Sequence, residues 1–477
     1  MNISQLEDMI LGARRGIAVV FVLITAFMLW QVMGLKAETS LEKMVPLQHE
    51  YIKNLLKHKD DLGVGNDIKV AIAVKSGDIF DAQYLETVKN VTDDVFYFPG
   101  VDRAKLKSLW TPTVRWSEVT KDGFQGGEVT QGYDGTPQGM EALRSNILRS
   151  GQVGRLVSDN FKSTIIQIPL LEGEKINYKE LSDKLEEMRS KFEKQNPNVE
   201  IHIVGFAKKV GDLIEGATKI AFFFLVAALI TFVLLLWDFR DLKSAVAIVA
   251  CSITAVIWQL GIVKMLGFGL DPYSMLVPFV VFAIAVSHSV QIVNAISIAI
   301  ANGADNETAV RSSFLSLFKA GSLALTTDII GFLTLLVIQV DVIKALAISA
   351  SIGTAMIAFT NFMMLPIIMS YVKISDGALA KQKASQDNPP KLWRIMSHMT
   401  DRVPATIGVL LAIVLLGVGV YVGKDAKIGD LDRGAPELHP DSRYNLDDLF
   451  VTSNYSISAD VLVVLVETPE QQCASYK

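Results

Sequence analysis

The stretch Ser274–Ala301, SMLVPFVVFAIAVSHSVQIVNAISIAIA, decides the fold class. It exceeds the roughly 20 apolar residues needed to cross the hydrocarbon of a bilayer, yet it carries Ser287, His288, Gln291 and Asn294 near its middle. Polar groups at that depth are expensive and face a bundle interior or a water-filled path rather than lipid. Ser287, Gln291 and Asn294 recur at spacings of four and three, so they share one helical face, with His288 on its shoulder. The stretch therefore predicts a spanning helix whose polar stripe looks away from lipid.

Six further apolar runs have the same character: residues 16–34, 220–237, 245–266, 320–340, 343–372 and 405–422. Seven spans make a polytopic α-helical membrane protein, in keeping with a chain of 477 residues that is 50% apolar. The net charge of -5 gives no support to nucleic-acid binding. Two cysteines, Cys251 and Cys473, found neither a disulfide framework nor a metal cluster. Arg14 and Arg15 place the N-terminus in the cytoplasm, and the run after them is too long for a signal peptide, so an uncleaved anchor is expected. Basic links at 237–243, 311–319 and 373–402 alternate with links poor in bases, such as 267–273. This puts residues 35–217 and everything after 422 on the extracytoplasmic side. Val310, Phe314 and Phe318 mark the link 301–319 as an amphipathic segment lying along the membrane interface, and KQKASQDNPPK (381–391) reads as a flexible connector.

Between the first two spans the sequence is that of an α+β domain. Strands are predicted at 68–75, 163–170 and 199–204, and helices at 80–95, 137–150 and 177–195. The order suggests a split βαβ arrangement with helices packed on one side of small sheets. No Gly-rich phosphate loop, metal-ligand spacing or Ser/His/Asp set stands out, so neither an enzyme nor a bound cofactor is expected. After the seventh span, Leu431, Pro436 and an apolar run at 461–466 echo Leu41, Pro46 and the strand beginning near Val70, at an offset of about 390 residues. A repeat that breaks off so soon leads to the expectation of a truncated duplication, with a natural half that must pair as the alternative.

One span, a large outer domain, five spans, a basic connector and a restarted repeat resemble the resistance-nodulation-division (RND) superfamily. The closest resemblance is to its MMPL branch of lipid and hydrophobic-compound exporters. The residues that carry it are GFGLDPYSMLVPFVVFAIAVSHSVQIVN (267–294), SLALTTDIIGFLTL (322–335) and LDRGAPELHPDSRYNLDD (431–448). The resemblance implies an anchor at 1–34, a porter-like extracytoplasmic domain at 35–217 and a five-helix block similar to a sterol-sensing domain at 218–372. It further implies a cytoplasmic connector at 373–403, a seventh span at 404–422 and a second extracytoplasmic domain starting at 423–477. It also implies export driven by protons across a bacterial inner membrane, with a lipid-like substrate, and it allows a homo-oligomer or other envelope proteins as partners. A lipid receptor or scaffold that does not pump is the alternative. One departure matters: members of the family commonly carry an acidic residue in the fourth span within a GVDY-like run, whereas this chain reads AVSH, with Ser287 in the aspartate's place and His288 in the tyrosine's.

The sequence supplies a substitute. Asp328 falls near the middle of the fifth span, as His288 does in the fourth, and a carboxylate there costs about 2.5–3.5 kcal/mol on insertion scales, so it should be protonated or paired. Histidine exchanges protons near neutral pH. His288 and Asp328 are therefore the candidate proton relay, with Ser287, Gln291, Asn294, Thr327 and Asn361 as supporting polar groups. The ordinary alternative is that His288 bonds a neighbouring helix and Asp328 satisfies a local polar contact.

Overall fold

The computed structural model describes residues 3–35, 46–58, 66–121, 123–171, 176–271, 273–388, 391–426, 434–457 and 464. The chain opens with α1 (Ile3–Gly12), α2 (Arg14–Met33) and α3 (Glu50–Lys57). It continues through β1 (Asp67–Val74), α4 (Ala82–Phe96), β2 (Arg115–Thr120), β3 (Gly123–Glu128), α5 (Pro137–Arg149), β4 (Ser163–Pro169), α6 (Tyr178–Gln195) and β5 (Val199–Gly205). Helices follow: α7 (Phe206–Phe239), α8 (Leu242–Met265), α9 (Val277–Ala301), α10 (Asn306–Thr334), α11 (Asp341–Phe359), α12 (Leu365–Tyr371), α13 (Asp376–Asp387), α14 (Lys391–Ser397), α15 (Arg402–Gly423) and α16 (Arg443–Asn454). Two compact units result: a helical unit of Met1–Leu55 with Gly216–Lys427, and a sheet unit of Leu56–Glu215 with Ile428–Lys477.

In the sheet unit β1 lies between β4 and β5 and runs antiparallel to both, with Val70 opposite Ile166 on one side and Ile203 on the other. The outer strands are therefore parallel to each other and α6 joins them, which is a split βαβ unit. Ile68, Val70, Ala71 and Ile72 are all buried, because a central strand has no solvent face to give to polar residues. Leu181, Leu185, Met188 and Phe192 bury one stripe of α6 beneath its charged surface. Asp81 and Asn177 cap α4 and α6 by accepting from Tyr84 N and Glu180 N.

The free edge of β5 is closed by side chains rather than by another strand. Ile201 N donates to Glu193 at 2.8 Å and Ile203 N to Asp447 at 3.0 Å, while Arg443 donates to Ile201 O at 3.1 Å. This satisfies backbone groups that would otherwise template pairing with another chain. Asp447 also accepts from Arg189 at 2.5 Å, lies 2.9 Å from His202 Nδ1, and sits 3.1 Å from Arg443 Nε. The Phe450 ring stacks on His202 at 3.8 Å.

The β2–β3 hairpin was not expected from the sequence. It is exposed on both faces and carries Gly126 and Gly127, so it has no apolar alternation to read. Two other expectations need correction. The link 301–319 does not form a separate interfacial segment: residues 306–319 are the opening turns of α10, with Ala309, Val310 and Phe314 buried. The connector at 381–391 is not irregular throughout, since α13 extends to Asp387, as its Ala, Gln and Lys residues favour. Leu41, Leu431 and all of 461–466 except Val464, which is not in a strand, lie outside the described residues.

Among the described residues, seven helical segments are long and apolar enough to span a membrane. In the helical unit α8, α9 and α11 form the packed centre, with α2 against α8. Lipid tails are as apolar as leucine, so packing between these helices relies on small residues. Ala245, Ala247, Cys251, Ser252 and Ala255 are buried on α8, and Ala347, Ala350, Gly353 and Thr354 on α11. A Cβ at Gly261 would meet Met28 Sδ at 2.8 Å, so glycine there permits the approach of α2.

Candidate functional site

The polar groups of the helical unit divide between a sealed interior and an open seam. The interior begins at the break between α11 and α12, where Thr360–Met364 form a π turn just before Pro366. A proline removes one backbone donor, and a π turn absorbs the mismatch. Asn361 sits in this turn, fully buried, donating from Nδ2 to Ala285 O at 2.8 Å and accepting from Ser289 Oγ at 3.0 Å. It therefore clamps α9 one residue beyond His288. A second clamp is Gln259 on α8, which donates to Ser349 Oγ on α11 at 2.8 Å and leaves its buried Oε1 without a partner among the described residues.

His288 and Asp328 are each half-buried, on the neighbouring helices α9 and α10. Among the described residues no hydrogen bond or ion pair joins the two. Ser287, Gln291 and Asn294 lie on the exposed side of α9. Asn294 Oδ1 accepts from Gln382 on α13 at 3.3 Å. Thr327 is exposed and returns its hydroxyl to Leu323 O in its own helix at 2.9 Å. Of the supporting residues, only Asn361 is drawn into the packed interior beside His288.

The sequence alone assigns neither Ser289 nor Gln259 to the site. The polar run Ser287-His288-Ser289 was visible, but which of the two serines turned inward depended on where α11 packs. Gln259 shares its apolar run with Ser252, Thr254 and Lys264, so nothing in the sequence marks it as the clamp. At the end of α8 nearest Asp241, that carboxylate caps the helix through Ser244 N at 2.9 Å and accepts from Ser375 N at 3.2 Å. Burial opposes its charge, but the hydrogen bonds from Ser244 and Ser375 prevail and hold its pKa below the usual carboxylate value. Lys381 of α13 binds Asp238 beside it.

A helical unit with seven candidate spans and polar clamps within its packed helices, together with a small sheet unit, defines a polytopic membrane protein. The sequence profile of the MMPL family matches residues 139–407, more than half of the chain, and the chain belongs to that family. Its members are transporters of the RND superfamily. The chain is also similar to a protein of Methanocaldococcus jannaschii named only for a suspected place in the membrane. The two are 19% identical over 365 residues, which cover 73% of this chain and 88% of the relative.

Proposed function

We propose that the protein is a proton-driven exporter of a lipid or another hydrophobic or amphipathic compound in a bacterial inner membrane. The observation that carries this reading is that His288 and Asp328 stand half-buried on adjacent helices of the membrane block. An ionisable pair at that depth is costly to keep and is a functional signature. Each proton crossing about 100 mV supplies roughly 2.3 kcal/mol, enough to bias two arrangements of a helix bundle. His288 and Asp328 would exchange the proton, and Asn361 would hold the turn of α9 that carries His288.

In this reading α7 to α12 form a block similar to a sterol-sensing domain. The sheet unit is porter-like and lies outside the cytoplasm, a placement that the distribution of bases in the links supports. A specific observation favours the second reading, a lipid receptor that does not pump: Ser287 occupies the place of the acidic residue common in the family.

The test uses the purified protein in liposomes with an imposed proton gradient and a fluorescent phospholipid as the cargo probe. Export should follow the gradient in the native protein and fall to the level of protein-free liposomes in His288→Ala and Asp328→Asn. Gradient-dependent export that survives in both variants removes the pair from the mechanism, and gradient-insensitive lipid binding by the native protein favours the receptor.

A further inference from the structure

The face of α10 that carries Asp328 is a single stripe. Phe314, Phe318, Gly321, Leu325 and Asp328 follow one another at spacings of four, three, four and three, the repeat of one helical face. Phe314 and Leu325 are buried, while Phe318, Gly321 and Asp328 are half-buried. Phe314 stacks on Phe318 with ring centroids 5.0 Å apart, and Phe318 meets the ring of Phe362 edge-on at 5.3 Å. Phe362 belongs to the π turn, so that turn reaches the side of α10 on which Asp328 stands. Gly321 is the notch that receives the ring. A Cβ there would overlap Phe362 Cζ and stand 3.1 Å from its Cε1. Asp328 follows Gly321 by seven residues, about 10.5 Å along the helix at 1.5 Å per residue.

The residue before Phe362 holds the other helix. Asn361 donates to Ala285 O and accepts from Ser289 Oγ, the two residues that flank His288 on the inner side of α9. Two consecutive residues of one turn thus grip both helices of the pair. The irregularity of the turn has a covalent origin. Pro366 has no N–H, so the carbonyl of Phe362, four residues earlier, lacks an α-helical donor. Leu365 N reaches back five residues to Thr360 O. A π turn holds about one residue more than an α turn, so relaxing it would turn one flank against the other by about 100°. Asn361 and Phe362 could not then keep both grips.

We propose that Phe362 seated at Gly321 is a positioning latch: together with Asn361 it fixes the rotation of α9 against α10, and so the approach of His288 to Asp328. Gly321 and Phe362 act through the helices that carry the pair. The functional weight of the latch rests on the reading of that pair as a proton relay, whereas its grip on the helices is a property of the fold. Glycine is required at 321 because any side chain would unseat a buried ring that Phe318 already borders.

The full chain in liposomes, with the fluorescent phospholipid as probe, tests the latch. Gly321→Ala overpacks the notch and should lower the maximal export rate about tenfold, while the half-saturating probe concentration changes by less than about twofold. In a background of Cys251→Ser and Cys473→Ser, Ala285→Cys reports the grip on α9. Position 285 is buried, so N-ethylmaleimide should label it slowly, and about tenfold faster once Gly321→Ala is added. Adding Phe362→Leu, which shortens the ring, should return both readings to within about twofold of the native protein. Phe362→Leu by itself should move both in the same direction by a smaller factor. Gly331→Ala on the same helix, where a Cβ meets nothing within 4 Å, should change neither. Slow labelling in Gly321→Ala, a double variant that is not restored, or an equal effect of Gly331→Ala would each overturn the latch. Faster labelling with an unchanged maximal rate would overturn its positioning role. Should export by the native protein ignore the gradient, the relay reading fails, and the labelling series decides the latch without it.

Discussion

Asp447 in the sheet unit and Asp328 in the helical unit are both carboxylates withdrawn from bulk water, and they are treated in opposite ways. Asp447 is fully enclosed and has a donor for each available direction: Arg189, His202, Arg443 and the amide of Ile203. Asp328 is half-buried, on the helix next to that of His288 and with no direct bond to it. A carboxylate whose partners are all in place is a structural fastener, because any change of its charge breaks several bonds at once. The two carboxylates thus differ both in burial and in the number of partners that hold them.

The largest expected effect tests the fastener. Asp447→Ala strands Arg189 and His202 in a closed site and unpins the edge of β5, and losing one partner of a buried charge pair costs about 3–5 kcal/mol. Hydrogen exchange followed by mass spectrometry should show β5 and α16 losing protection together. A loss confined to α16 would mean that the edge of β5 does not rely on this carboxylate.

Next comes the pH dependence of the same site. Burial works to raise the pKa of Asp447, but the His202 hydrogen bond, the charges of Arg189 and Arg443 and the Ile203 amide outweigh it, so its pKa lies below the unperturbed 3.8. A lowered folded-state pKa means the stabilisation is fully present above 3.8 and disappears as the pH falls through the folded value. Protection of β5 should thus hold from neutrality down to about that unperturbed value and fail in stronger acid. Asp447→Asn should lack this acid limb, and an unchanged acid limb would assign the effect to other groups.

Smaller effects belong to the membrane side of the comparison. Asn361→Leu removes two hydrogen bonds between α9 and the π turn. Hydrogen bonds between membrane helices average about 0.6 kcal/mol and reach about 1.7, so thermal unfolding in detergent should shift modestly. A loss as large as that for Asp447→Ala would erase the distinction between the two regions. The smallest effect is expected for Gln382→Ala, which removes an exposed 3.3 Å bond to Asn294 and should alter stability by no more than about 0.5 kcal/mol.

Much of this was legible in the sequence, for identifiable reasons. The three strands of the larger sheet and the helices after β1 and β4 stood out because apolar residues recur at the strand and helix periods. The hairpin β2–β3 did not, having no buried face. At the candidate site, His288 and Asp328 could be chosen because an ionisable residue within an apolar run is conspicuous. The clamps could not be assigned in advance: Ser287 and Ser289 point to nearly opposite sides of the helix, about 200° apart, and the direction that faces protein is set by α11 and its π turn.

The sequence by itself determined that the chain crosses a membrane several times and carries an α+β unit, since apolar length and periodicity are properties of local segments in a given solvent. Only the tertiary structure decided that Asn361 would lock α9, that Asp447 would close the edge of β5 across more than 240 residues of chain, and that Ser287 and Gln291 would remain open. Those outcomes depend on which surfaces meet after folding, and contact between distant segments leaves no periodic trace along a single chain.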